Sequence, residues 1–298
     1  MTSHLDTLLI VLRTTTVAGV SLSTLLQGAA IATLGSFAFS KLSRKKRTVD
    51  GAKKPRNTVL LYQFYTSDKA KIQLSSPCLK LEAYLRVNKV PYKDCRMHSP
   101  AGSPKKTAPY VEYNDMGMAD STLIIDWLEQ NGVVSPMDAH LTPVEKAQVE
   151  AFRYLFEEGL YWQMLHSRWQ HEPNWPFVRD VFFFKLPGIL KYLVAFLVRR
   201  GQIKALRIQK TGRHTFEETL IFSDKIIQAA SDLLGDKKYM LSNTRMCSLD
   251  MIAFANLSNV LYLDLPDTRM QQQVAAKKNL VEYCDRMMAE IFPNGYGR

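Results

Sequence analysis

Two hydroxyls and a thiol fall within four positions at Ser75-Ser76-Pro77-Cys78, and the residues after them have the spacing of a helix. Cys78, Leu81 and Leu85 recur at i, i+3 and i+7, with Leu79, Ala83 and Val87 beside them and Lys80, Glu82 and Arg86 on the polar positions. A helix start leaves its first backbone N–H groups unpaired; a preceding Ser satisfies one, and Pro fits the first turn without losing a hydrogen bond. Those N–H groups and the positive end of the helix dipole also favour a thiolate, so a hydroxyl or thiol at this place could hold a bound sulfur or become a nucleophile itself. Cys78 shares the phase of Leu81 and Leu85 and is expected on the buried face, where an apolar setting raises a thiol pKa and leaves it inert. The two serines are then the groups able to meet a ligand.

The elements that must position them can be read from the pattern. Residues 58–65, "TVLLYQFY", are β-branched, aromatic and aliphatic and predict a buried strand; residues 92–97 predict a second, which with the helix between gives a β-α-β unit. Residues 110–113 and 116–119 flank Asn114-Asp115 as a hairpin, and Asp120-Ser121 caps an amphipathic helix that ends near Gly132. From about residue 142 the pattern is helical only, so an α/β half precedes an all-helical half, divided near residue 135. Tyr154, Tyr161, Trp162 and Trp169 either line an apolar pocket for a second substrate or fill the core between the halves, and their helical spacing favours the core. Residues 182–198 form a long apolar run, but Lys185 and Lys191 interrupt it and Pro187-Gly188 break it. Two helical pieces packed in or beside the second half are expected there, with a dimer or membrane-facing surface among the places they could take.

The net charge of +11 suggests nucleic acid until it is located. Nine of the 39 basic residues but only two of the 28 acids lie in residues 1–60, mostly in "KLSRKKR" and "KKPR", and no phosphate-cradling Gly loop or basic-aromatic stripe occurs later, so nucleic-acid binding is not expected. Cys78, Cys95, Cys247 and Cys284 form no CxxC pair, which argues against a disulfide framework or a metal site and for a reducing compartment. His166 and His171 stand five apart, a spacing that does not share an α-helical face, and are read as structural. Residues 17–39 carry no formal charge over 23 positions, long enough to cross a bilayer, and are followed by Lys41, Arg44, Lys45, Lys46 and Arg47. That flank predicts a signal anchor with the C-terminal bulk in the cytosol, with a matrix presequence or a membrane-independent tail as the alternatives, and a polar linker to residue 57.

In order along residues 58–293, the stretches "SPCLKLEAYLRVNKVPY", "APYVEYN", "ADSTLIIDWLE", "TGRHTFEE", "LLGDKKYMLSNTRMCSLDMIAF" and "LVEYCDRMMAEIFP" resemble the failed axon connections family. That family includes cadmium-responsive nematode proteins, is related to the metaxins, and lies within the glutathione transferase superfamily. The resemblance implies a thioredoxin-like domain over residues 58–134 and an all-helical glutathione-transferase-type domain over residues 135–298, behind an anchor and basic linker over residues 1–57. It implies glutathione as ligand, with Ser75 or Ser76 hydrogen-bonding its sulfur. Pro109 sits where the superfamily has a cis-proline, whose neighbour, Ala108, pairs by its backbone with the cysteinyl part. Asp120-Ser121 takes the γ-glutamyl end, although Asp120 also reads as a simple helix cap. Cys78 falls at the resolving position of a glutaredoxin pair, and with Ser rather than Cys at 75 a two-thiol exchange is excluded. Two departures stand out: Cys247 replaces the usual hydroxyl cap ahead of Asp250, so either Ser248 caps or the helix start is weaker, and Pro77 directly precedes Cys78 where S-P-x-C is expected.

The resemblance therefore implies a membrane-anchored, cytosol-facing, glutathione-binding protein of detoxification or metal and xenobiotic stress, acting if catalytic as a transferase on a small electrophile, with a homodimer among the arrangements it allows. The alternative is a non-catalytic adaptor of metaxin type, in import, scaffolding or axon development, and the membranes implied are the mitochondrial outer or the endolysosomal one.

Overall fold

The computed structural model describes residues 55–296 and, ahead of them, two short antiparallel strands, β1 (Thr16–Val17) and β2 (Val20–Ser21). By its contacts the chain forms two units, Met1–Lys54 and Pro55–Arg298. Apart from those strands, the expected membrane helix over residues 17–39 lies outside the described residues. Val17, Val20 and Ser21 sit in paired strands rather than a helix, in keeping with the β-branched Thr16, Val17 and Val20, and among the described residues no helix is long and apolar enough to cross a membrane.

In the second unit, β3 (Val59–Phe64), β4 (Tyr92–Met97), β5 (Tyr110–Tyr113) and β6 (Met116–Ala119) form one sheet in the order β4-β3-β5-β6. β3 and β4 are parallel, joined across α1 (Ser76–Val87), while β5 pairs antiparallel with β3 and with β6. The hairpin turn at Asn114 and Asp115 has φ of 45° and 72°, the left-handed pair that matches strand twist, and Asn114 is held by Asn57.

α1 departs from the amphipathic pattern. Lys80 and Glu82 are as buried as Leu81, because the helix is sandwiched between the sheet, α2 (Ser121–Gln130) and α8 (Ser248–Leu261). Each buried charge is met: Lys80 by Glu157 and Thr122, and Glu82 by Gln63, Arg86, Tyr92 and Tyr296.

The rest is helical: α3 (Pro143–Tyr154), α4 (Tyr161–Leu165), α5 (Trp175–Phe182), α6 (Gly188–Gln209), α7 (Phe216–Leu234), α8, α9 (Arg269–Ala275) and α10 (Lys278–Ile291). Capping boxes at Thr142–Glu145 and Thr215–Glu218 start α3 and α7. Wider π turns at Leu155–Leu160 and His166–Gln170 carry α3 and α4 on as one rod to Gln170. α8 is buried on nearly every side, and one apolar cluster runs from Leu79, Leu81 and Leu85 through Phe254 and Leu257 to Tyr283. At its start Asp250 still accepts the Cys247 N–H (2.9 Å), while Ser248 donates to Asp138 and does not cap one position later. The apolar run at residues 182–198 breaks as expected, α5 ending at Phe182 and α6 beginning at Gly188.

The turn after α6 is tight at Gly212, where an added Cβ would lie 2.8 Å from the Arg207 backbone nitrogen and 2.9 Å from Gln170 Oε1. Gly212→Ala should therefore destabilise the fold by about 1–3 kcal/mol through overpacking, read as a lower urea midpoint with an unchanged slope.

Candidate functional site

Strand register gathers the expected residues at one end of the sheet. Tyr62 lies opposite Tyr110, and Tyr110 opposite Ala119, so the entry to β5 and the exit from β6 both meet the C-terminal end of β3, from which the chain loops to α1. The Ala108–Pro109 peptide is cis, as the resemblance implies. Pro109 has no N–H to continue the ladder, so pairing stops at Tyr110. Among the described residues the backbone N–H and C=O of half-buried Ala108 make no hydrogen bond. A peptide backbone laid there in extended form would find one donor and one acceptor.

Asp120 stands next to that edge with φ 84°, a conformation costly for a non-glycine residue and most often found where the surroundings fix it for a purpose. Its Oδ1 accepts from Thr122 N–H (3.0 Å) and Leu123 N–H (3.3 Å), so it does cap α2, while its exposed second oxygen makes no contact among the described residues. The neighbouring Ser121 side chain makes no hydrogen bond there either, and as the first residue of α2 it has a free N–H. A carboxylate acceptor beside an open hydroxyl and N–H suits a group bearing both an ammonium and a carboxylate.

The two serines part company. Ser75 is the N-cap of α1, half-buried, with φ −94° and ψ 107°, and its hydroxyl does not cap the helix. Ser76 is buried and its Oγ has no hydrogen-bond partner among the described residues. Cys78 is wholly buried, and burial pushes its thiol up to about 12 against smaller downward pulls from Ser75, the Phe64 backbone and Arg96. Of the two serines Ser75 is the less buried, and Cys78 is wholly buried.

The clamp that fixes the chain ahead of Ser75 escaped the sequence reading. Arg168, from the second π turn, is wholly buried and forms no ion pair among the described residues; it donates to Leu74 O (2.7 Å), Asn259 O (2.6 Å) and Asn259 Oδ1 (3.0 Å). Burial lowers its pKa to about 10, which leaves it charged at neutral pH. Asn259 on α8 donates in turn to Gln73 O (2.9 Å), so both residues before Ser75 are clamped. The only signal in the sequence was a charge inside "LHSRWQ", an aromatic, helix-patterned stretch. The His166–His171 spacing also reads differently: in a π turn residues five apart do adjoin, and both rings stack on Phe216. His171 pairs with Asp267 and His166 with the His214 carbonyl.

Of the four aromatics, Trp169 is buried among Trp175, Phe182 and Phe183, and Tyr161 packs into the same cluster beside Cys78, its phenol raised to about 12 by burial and by that thiol. Trp162 packs edge-on against Tyr161, while Tyr154 is exposed under Arg153. Lys185, after α5, places its Nζ 4.3 Å from the ring centre of Tyr65, at the start of the loop between β3 and α1.

Residues 76–175 match the model of the glutathione S-transferase N-terminal domain, and residues 223–287 that of the C-terminal domain. Over 200 residues the chain is 30% identical to the metaxin-1 homolog of Caenorhabditis briggsae, covering 65% of this chain and 62% of that protein. It is 31% identical over 195 residues to isoprene-epoxide–glutathione S-transferase of Rhodococcus sp. strain AD45, covering 62% and 78%. With failed axon connections of Drosophila melanogaster it shares 26% over 250 residues, covering 80% and 59%. The chain thus spans about three fifths of the metaxin-1 and failed axon connections relatives. Among solved structures, the beta-etherase LigF of Sphingobium sp. strain SYK-6 shares the fold with a TM-score of 0.55 at 16% identity, over 80% of this chain and 99% of that one. Apo human glutathione-S-transferase T1-1 does so at 0.51 and 16%, over 79% and 85%.

The buried thiols give a pH signature. Cys78 and Cys284 are raised to about 12 from 9.0, so the unfolded chain ionises first; their contribution to stability is complete below 9.0 and is lost as pH climbs towards about 12. Thermal scans should show a falling midpoint across that window. At mildly alkaline pH iodoacetamide should modify half-buried Cys95 first, leaving Cys78, Cys247 and Cys284 unreacted until the protein is denatured, as read by peptide mapping.

Proposed function

Because the chain belongs to the failed axon connections and metaxin branch of the glutathione transferase superfamily, we propose that it binds glutathione at the end of the sheet marked by Ala108–Pro109 and acts as a glutathione-transferase-like protein. The observation that carries the reading is the open backbone of Ala108 beside a cis-proline, one strand from an Asp held at positive φ. Glutathione is an extended peptide with a γ-glutamyl ammonium and carboxylate at one end and a thiol in the middle. Ala108 meets its cysteinyl backbone, Asp120 its ammonium, Ser121 and the α2 start its carboxylate, and Ser75 at the α1 start its sulfur. If it is catalytic, the transfer runs from that thiolate to a small electrophile, in detoxification or a metal and xenobiotic stress response.

A second reading is favoured by one contact. The Lys185 side chain over Tyr65 ties the α5–α6 connection to the loop that leads to Ser75. In that case the fold serves as a non-catalytic adaptor of metaxin type. Both readings include anchorage by residues 17–39 with the folded part in the cytosol, on a mitochondrial outer or endolysosomal membrane. The uncharged run and the five basic residues between 41 and 47 support this.

Calorimetry separates the readings. The parent should bind glutathione; Ser75→Ala should weaken affinity about 10- to 100-fold or raise the bound thiol's pKa by about one to two units, the worth of a hydrogen bond to a charged group. Asp120→Asn keeps the cap acceptor but removes the charge facing the ammonium, and should cost about tenfold. No binding by a folded parent would leave the adaptor reading. For the anchor, carbonate extraction should leave the full chain in the membrane pellet; recovery in the supernatant would refute it.

A further inference from the structure

We infer that the outward face of α6 docks the folded unit flat on an anionic lipid surface. The face is a single stripe with two unlike halves. Ile189, Leu193, Phe196 and Leu197 succeed one another at helical spacing over the first turns and are all exposed, Ile189 by 88% and Phe196 by 58%. The same stripe continues through Arg200, Lys204 and Arg207, with Lys210 and Arg213 just beyond. Only the opposite side is packed, by Ala195 and Leu206.

The charge has one sign. α6 contains no Asp or Glu. Its two inward cations are already paired, Lys191 with Asp180 and Arg199 with Glu172. Arg200, Lys204, Arg207, Lys210 and Arg213 have no carboxylate partner among the described residues, and four of them, with Phe196 and Ile208, line a groove of about 600 Å³. At 22 residues the helix is about 33 Å long, enough to lay its apolar turns at the acyl boundary while the basic turns lie among headgroups. Its break at Pro187-Gly188 and its inward cations prevent it from spanning.

Charge complementarity selects this occupant over a second copy. A two-fold pair of antiparallel α6 helices would set apolar turns against arginines, and a parallel pair would set cation against cation. Phosphate-bearing lipid answers both halves at once.

The test uses the full chain and vesicle sedimentation, comparing phosphatidylcholine vesicles with vesicles of phosphatidylcholine and phosphatidylserine at seven to three. Any anchoring by residues 17–39 contributes to both, so the α6 share is the gain on adding phosphatidylserine. That gain should fall about 25-fold in Arg200→Gln/Lys204→Gln, about fivefold for each charge, and should be largely lost in Leu193→Ser/Phe196→Ser. All four positions are exposed, so folding should be intact by circular dichroism, and glutathione affinity should be unchanged, which keeps this result apart from the ligand site. Equal phosphatidylserine gain in wild type and both variants overturns the proposal. So does a lipid-free dimer, by analytical ultracentrifugation, that the Leu193→Ser/Phe196→Ser variant abolishes, since a second copy would then cover the face.

Discussion

A single guanidinium without a counter-ion organises the site. Arg168 donates only to amide carbonyl oxygens among the described residues, and those belong to chain segments far apart in sequence, Leu74 ahead of α1 and Asn259 on α8. A charge taken out of water costs several kcal/mol unless dipoles replace its hydration, so the three oxygens must stay where they are for the fold to persist. The loop before Ser75 is therefore not free to adapt, and Gln73 is fixed with it through Asn259. The position of the Ser75 hydroxyl at the α1 start is decided in the helical half of the molecule.

The same dependence explains α1. A helix with Lys80, Glu82 and Arg86 on one side reads as amphipathic, yet two of those side chains are buried. They are tolerated because the partners arrive from elsewhere: Glu157 from the first π turn, Tyr92 from β4, and Tyr296 after α10. Burial lowers the Lys80 pKa, and the Glu157 carboxylate beside it opposes that shift. Sandwiched between sheet and α8, α1 joins the two halves of the core and presents its N-terminus at the site.

Local chemistry was legible in the sequence and long-range partnership was not. The strands 92–97, 110–113 and 116–119, the Asn114-Asp115 turn and the break at Pro187-Gly188 come from periodicity, β-branching and turn residues, all of which act within a few positions. Ala108–Pro109 and Asp120–Ser121 were placed by resemblance, and the register of β3, β5 and β6 brings them to one edge. Choosing between Ser75 and Ser76 needed burial, which depends on the elements packed over α1. Arg168 and Asn259 were invisible because their oxygen partners are backbone groups or lie more than ninety residues away, and no side-chain pattern encodes a carbonyl. Reading the chain after about residue 142 as simply helical did not separate π from α turns, because no residue type marks the one additional residue that each takes in.

Those turns have a mechanical consequence. Each takes in one residue more than an α turn, so it resets the angular phase of everything downstream by about 100°. Between Thr142 and Gln170 the rod thus works like a shaft with two offset keyways: only with the first offset in place does the second turn aim Arg168 at Leu74. Side-chain exchanges along this rod are open to the molecule wherever packing allows. A change in its residue count within 155–160 is not, because it would swing the guanidinium away from its carbonyls and unlatch the loop that carries Ser75.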